Sequence, residues 1–226
     1  SAELAYEGLM LGRESRVAEA LYNTTTFTGS TNTHAITNEW DDATNATPWA
    51  DINTSAGKIR SKAALPKSAL TLVMSEDNID YVVLTDEVKG YFQYSGQYAD
   101  MLKSPVKVKA AFLAGYFGIK QVIPVISLYD TSNLASAASI GKFWSNEYSM
   151  LGYQPVGSKV GLKTQCLIKQ LNWSEYSSDF IMEDYEEPAR RKLIIRAREH
   201  RGIKVNTDYG VLLTNCKTTV DSTTGI

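Results

Sequence analysis

The residues able to do chemistry are few and scattered. There are two histidines, His34 and His200, far apart in the chain, and neither belongs to an HExxH pair or stands near a Cys/His cluster. A zinc centre needs three or four converging nitrogen, sulfur or carboxylate ligands, so no metal is expected. Carboxylate pairs for general acid–base work could in principle be supplied by Asp41-Asp42 or by Glu183, Asp184, Glu186 and Glu187. Acidic runs of this kind ordinarily lie on solvated faces, and that is the expectation here. The chain has no GxSxG elbow, no GxxxxGK[ST] phosphate loop and no GxGxxG fingerprint, so neither an activated serine nor a nucleotide cofactor is implied. Cys166 and Cys216 are too few for a disulfide framework. They read as two buried thiols of a protein made in a reducing compartment, while a bridge between them is left open by sequence alone. No catalytic, cofactor-binding or metal-ligating residue is therefore assigned, and the chain is not expected to be an enzyme.

One charged stretch keeps two readings. RRKLIIRAREHR (190–201) concentrates positive charge on an expected strand. It is either an edge strand blunted against aggregation or an electrostatic face for a partner, whether another subunit or packaged nucleic acid. Four N-x-[ST] sequences occur, Asn45-Ala46-Thr47 among them, but with no secretory signal visible they carry no weight.

Composition sets the bounds. The 226 residues are 43% hydrophobic and 10% aromatic, with 23 Lys+Arg against 25 Asp+Glu and a net charge of -2. Such a chain can bury a substantial core. It lacks the basic excess of a general nucleic-acid binder. No apolar run is long enough to span a membrane as a helix, and no membrane partner is expected. The chain begins at Ser1 and not at Met, so an upstream segment is expected, either removed by processing or lying outside this sequence.

The elements that must carry these residues read as α+β. Residues 1–22 form a Pro-free helix with Tyr6, Met10, Val17 and Leu21 on one stripe interrupted by Arg13, and apolar residues off the stripe imply burial on more than one side. TFTGSTNTHAIT (26–37) suits a short strand or extended loop. In EWDDATNATPWADI (39–52), Thr47 is placed to cap a helix that starts at Pro48. Trp49, Ile52, Ala56, Ile59 and Ala63 then mark its buried face, with Trp49 as the first anchor and Trp40 pinning the incoming loop; both tryptophans read as structural. Leu70–Met74 is an apolar strand running into a helix capped by Ser75. A helix over 106–117 stops at Gly118, and the strand of 119–130 is restricted by Pro124 to an edge or bulge. Residues 131–141 read as a loop. KFWSNEYSMLGYQP (142–155) reads as a pair of strands with Trp144 in the first, and GLKTQCLIKQLNW (161–173) as another. SEYSSDF (174–180) reads as a loop. Two strands around Gly202 and a third ending in VLLTN precede a frayed tail, DSTTGI.

In this order the segments resemble the major capsid proteins of tailed bacteriophages. LGRESRVAEALYN (11–23) resembles the end of that family's spine helix. EWDDATNATPWADINTSAGKI (39–59) resembles its tryptophan-acid-proline segment entering a helix, and KSALTLVMSEDNIDYVV (67–83) its strand and capped helix. AAFLAGYFGIKQVIPVISLYD (110–130) resembles its helix, Gly and central strand, KFWSNEYSMLGYQP (142–155) its strand pair, and DYGVLLTN (208–215) its C-terminal strand. The resemblance implies a peripheral module with the spine helix at 1–36 and an axial module of mixed sheet and helices at 37–164. It implies peripheral strands at 165–204, and a return strand to the axial module with the tail at 205–226. The two tryptophans would lock the connection between modules. It also implies a structural subunit that self-assembles into pentamers and hexamers of an icosahedral shell enclosing DNA. Scaffold, portal and maturation protease would be partners, and DNA would be contacted only non-specifically. The protein would reside in the virion capsid, and in host cytoplasm during assembly. An encapsulin-type nanocompartment shell of the same fold is the alternative, and an enzyme with an unrecognised carboxylate site is a more distant one. The family's N-terminal arm and extended loop precede the spine helix and have no counterpart here. The resemblance thus implies that this chain alone is a soluble monomer or small oligomer, while the full-length product forms shells.

Overall fold

The computed structural model describes residues 2–94, 96–126, 128–130, 140–155, 164–172, 181–187, 192–199 and 201–217. Helix α1 spans Ala2–Leu21, as its composition dictates. It ends where the Asn23 side chain accepts the amides of Thr25 and Thr26, a local competitor to further helix. Five strands build the central sheet: β1 (Thr33–Ala35), β2 (Leu70–Ser75), β3 (Gln121–Val125), β6 (Ser149–Tyr153) and β11 (Gly210–Thr214). Their order is β1-β11-β6-β2-β3, with the two outer pairs parallel and the inner pairs antiparallel. The sheet is mixed and the fold α+β. Pro124 sits on edge strand β3, where a missing amide costs no ladder bond.

Strand side chains alternate between faces, and that alternation separates two cores. Leu70, Leu72, Met74, Leu151, Val211 and Leu213 join one, Met150 and Leu212 the other. The first core is closed by helices α2 (Pro48–Ala63), α3 (Glu76–Leu84), α4 (Asp86–Gln93), α5 (Tyr98–Lys103) and α6 (Val106–Phe117). The second is closed by Ala18 and Leu21 at the end of α1, with Phe27, Trp144 and Leu167. Covered on both sides, β2, β6 and β11 read as nearly unbroken apolar runs.

The terminators act as their chemistry predicts. Ser75 accepts the amide of Asn78 at 3.2 Å and caps α3. Gly118, at φ 65°, ends α6 in the left-handed conformation that a side chain would oppose. Helices α4 and α5 were not expected from sequence. Thr85 is the signal for α4: it accepts the amide of Val88 at 3.4 Å and is followed by Asp86 and Glu87, the cap-and-acid signature of a helix start.

Several expectations need correction. Trp49 is not the buried anchor: it is 46% exposed, with Lys67 Nζ 5.3 Å from its ring, whereas Trp40 is fully buried. The buried arc of α2 is Pro48, Asp51, Ile52, Ser55, Ala56 and Ile59. Trp49 lies one residue, about 100°, round from Pro48 and falls at the margin of that arc. Thr47 holds the cap position without a side-chain hydrogen bond, although Pro48 does open the helix. The first half of α1 is not enclosed, since Tyr6, Met10 and Leu11 are exposed. Trp144 follows β5 (Ile140–Lys142) instead of lying in it. β5 pairs with β4 (Leu128–Asp130) and not with β6, so the expected strand pair is divided between two sheets. Gly202 lies inside a strand, Arg201–Val205. Of the expected loop at 131–141, Ile140 and Gly141 belong instead to β5, while 131–139, the expected loop at 174–180 and the tail at 221–226 lie outside the described residues.

The second half of the chain also forms a ribbon. β7 (Ile168–Asn172) pairs antiparallel with β10 (Arg201–Val205), and β8 (Ile181–Glu187) pairs antiparallel with β9 (Lys192–Arg198). Asn172 faces Arg201 and Ile181 faces Arg198, so the two ladders follow one another along 192–205. Helix α1 packs on both β9 and β10. Leu167 fixes the base of the ribbon to the sheet by hydrogen bonds from its amide to Tyr153 and from the Asn206 amide to its carbonyl. Its side chain fills a notch formed by paired Gly152 and Gly210, where an added Cβ would come within 2.4 Å of it.

Candidate functional site

The polar residues gathered in the interior sit where α2 meets β1. Asp51, one turn into α2, is 8% exposed. Its Oδ2 accepts the Trp40 indole N–H at 3.1 Å, and its Oδ1 is 3.1 Å from His34 Nε2. A buried carboxylate persists only when hydrogen bonds replace its water, and this pairing explains why an acid lies in an apolar arc. Two lysines reinforce the junction. Lys58 Nζ donates to the Thr33 carbonyl, and Lys62 Nζ to Asn32 Oδ1 and to the carbonyls of Thr207 and Gly210. Burial lowers the pKa of both lysines. The groups join the loop, the helix and the neighbouring strands β1 and β11. They hold structure together: each oxygen of the carboxylate has a polar partner, Trp40 at Oδ2 and His34 at Oδ1.

The remaining candidates are dispersed. Asp42 closes the turn between Trp40 and Pro48, accepting the amides of Thr44 and Asn45 and the Asn45 side chain, and these bonds lower its pKa. Glu183, Asp184 and Glu186 lie on β8, so alternation sends neighbouring acids to opposite faces. Glu183 pairs with Arg198. Across the ladder Glu183 faces Arg196 and Glu187 faces Lys192. Cys166 and Cys216 are both buried and free. The Cys216 thiol lies 3.5 Å from Ser149 Oγ, and burial pushes its pKa up. His200 lies outside the described residues. Among the described residues no group of three or more His, Cys, Asp or Glu is placed to hold a metal ion. No described helix is long and apolar enough to cross a membrane.

Several apolar side chains face outward. A shallow groove along α1 is lined by Tyr6, Met10, Leu11, Arg13, Val17 and Gln170. On α4 and α6, Tyr91 meets Phe92 and Tyr116 edge-on at 5.0 and 4.9 Å, beside an exposed Tyr94. The Tyr116 hydroxyl bonds Glu87, and burial together with that charge raises its pKa. The ribbon leaves Met182, Tyr185 and Ile195 exposed. Glu199 ties the ribbon to α1 through Arg13 and Arg16. Sequence analysis missed the Asp51 junction, because an acid inside an apolar period reads as an interruption until its donors are known.

No family model matches the chain, and no curated protein matches it. Among solved structures, a phage-related protein of Bordetella bronchiseptica RB50 shares the fold with a TM-score of 0.72 at 11% identity. The match covers 93% of this chain and 63% of that one, so the chain spans less than two thirds of that protein's length. The α+β arrangement around a mixed sheet is thus one also adopted by a phage-related protein.

Proposed function

We infer that this chain is a major capsid protein of a tailed phage or prophage, a subunit that assembles into the pentamers and hexamers of an icosahedral shell around DNA. The observation that carries the reading is the fold shared with a phage-related protein over 93% of the chain. The surface is consistent with it. Exposed apolar side chains on α1, on the α4–α6 shelf and on the ribbon offer several separate contact areas, as a subunit with several neighbours requires. The chain's residues act by shape and not by catalysis. The Asp51 junction and Leu167 keep sheet, α1 and ribbon in fixed relation, so that repeated contacts meet at constant angles. DNA contacts in this reading are non-specific, because the net charge is -2 and the basic residues of β9 face acids on β8. Scaffold, portal and maturation protease are the proposed partners, and the virion is the proposed location.

Electron microscopy and light scattering on the product of the complete gene, expressed with its neighbouring genes, test this. Closed particles of uniform size containing DNA are expected. Particles filled with a cargo enzyme would move the reading to a nanocompartment shell, and a gene product that never forms particles would overturn it.

A further inference from the structure

The β8–β9 ribbon is two strands wide, and among the described residues nothing pairs with the outer edge of either strand. A lone two-stranded ribbon is marginal in water, and open edges invite another strand. β9 keeps Ile195 and Arg196 exposed beside α1, and β8 keeps Met182, Asp184, Tyr185 and Glu186 exposed. Its two strands carry opposite charge. β8 holds Glu183, Asp184, Glu186 and Glu187, and β9 holds Lys192, Arg196 and Arg198. The register places Glu183, Arg196 and Arg198 on one face, because Glu183 faces Arg196 and Ile181 faces Arg198.

We propose that this ribbon is a head-to-tail interface between copies of the chain, in which the outer edge of β8 accepts β9 of a second copy as an added antiparallel strand. Charge selects that arrangement from the three available. Joining β8 to β8 sets Glu183 and Glu187 against the same acids of the other copy, and joining β9 to β9 sets base against base. Like charges directly opposed across strands are destabilising. Joining β8 to β9 instead flanks each acidic strand with a basic one on both sides. A copy related by translation and a small rotation presents β9 antiparallel to β8, so the ladder continues in the same sense as inside the ribbon. Such a contact is heterologous, and heterologous contacts close into rings when the rotation allows. The inference deepens the shell-subunit reading and rests on it.

The test is a charge-swapped chain: Glu183→Lys, Asp184→Lys, Glu186→Lys and Glu187→Lys in β8, together with Lys192→Glu, Arg196→Glu and Arg198→Glu in β9. Each pair inside the ribbon stays opposite in sign, so the ribbon forms and swapped copies suit one another. A swapped copy beside an unmodified one brings acid to acid and base to base. When isotopically labelled unmodified protein is co-expressed with swapped protein, both from complete genes, each is expected to assemble with itself. Mixed assemblies should fall about tenfold or more below random mixing by native mass spectrometry. Free mixing would overturn the edge contact and leave the shell reading standing. A swapped chain that folds but does not assemble would also overturn it. Failure of the unmodified gene product to assemble would overturn the shell reading and this contact together. A second measurement needs no variant: carbodiimide treatment of mixed heavy and light unmodified assemblies should join β8 carboxylates to Lys192 of another copy, and absence of that heavy–light product counts against the proposal.

Discussion

At the Trp40–Asp51 hydrogen bond, one indole and one carboxylate remove each other's need for water. Trp40 is completely buried and Trp49 is nearly half exposed, so identical truncations should separate them. Trp40→Ala is expected to cost about 3–5 kcal/mol, and Trp49→Ala no more than about 1 kcal/mol. Urea midpoints for the two variants decide it; equal midpoints would show that the two rings share one environment. Asp51→Asn presents an N–H where a donor now points and should cost about 1–3 kcal/mol. Cys216 gives a chemical readout. Its thiol is fully buried, and besides burial the charges of Asp51 and Glu147 raise its pKa. Since the thiolate is the reactive species, Cys216 should resist a thiol reagent in the folded protein and react on unfolding. Modification of native protein within mixing time would contradict this burial.

The ribbon is fixed to the sheet at its base. Leu167 is seated there against Gly152 and Gly210, with its main chain bonded to both Tyr153 and Asn206. A methyl group at either glycine displaces a side chain that is itself buried, so Gly152→Ala and Gly210→Ala should each destabilise by about 1–3 kcal/mol. The loosened ribbon base should then show in faster amide exchange at β7 and β10 than in β2. Unchanged exchange in those strands would mean that Leu167 does not couple ribbon to sheet. Ser75→Ala removes the cap of α3 and should cost about 1 kcal/mol, read from the same denaturation curves.

Over the whole molecule, ionisable groups set a pH window for stability. Lys142 and Asn146 lower the pKa of Asp77 below its ordinary value of 3.8. Its contribution is present above that value and is lost as pH falls through the lower folded value. On the alkaline side, burial raises Cys216 above its ordinary 9.0 and Tyr22 and Tyr116 above their ordinary 10.0. As pH climbs past those ordinary values the unfolded chain releases these protons while the folded chain retains them, so stability falls. Buried Lys58 and Lys62 oppose this, because their folded values lie below the ordinary 10.5 and the unfolded chain holds the extra protons there. More acidic groups than lysines are shifted, and the net expectation is a denaturation midpoint lower at pH 10 than at pH 7. An equal or higher midpoint would mean that the lysines dominate.

The sequence by itself determined what local chemistry governs. Helix α1 follows from composition, the end of α6 from Gly118, α3 from the Ser75 cap, and the edge position of β3 from Pro124. Each depends on contacts within a few residues or on a backbone property of one. The tertiary structure alone decided which tryptophan is buried, because that depended on Asp51 finding Trp40 and His34 across two other segments. It alone divided 142–155 between two sheets, since strand pairing depends on neighbours far along the chain. It alone set the register of the basic stretch, with Arg196 and Lys192 opposite Glu183 and Glu187, because the register of two neighbouring strands follows from the turn and the packing that join them and not from their composition.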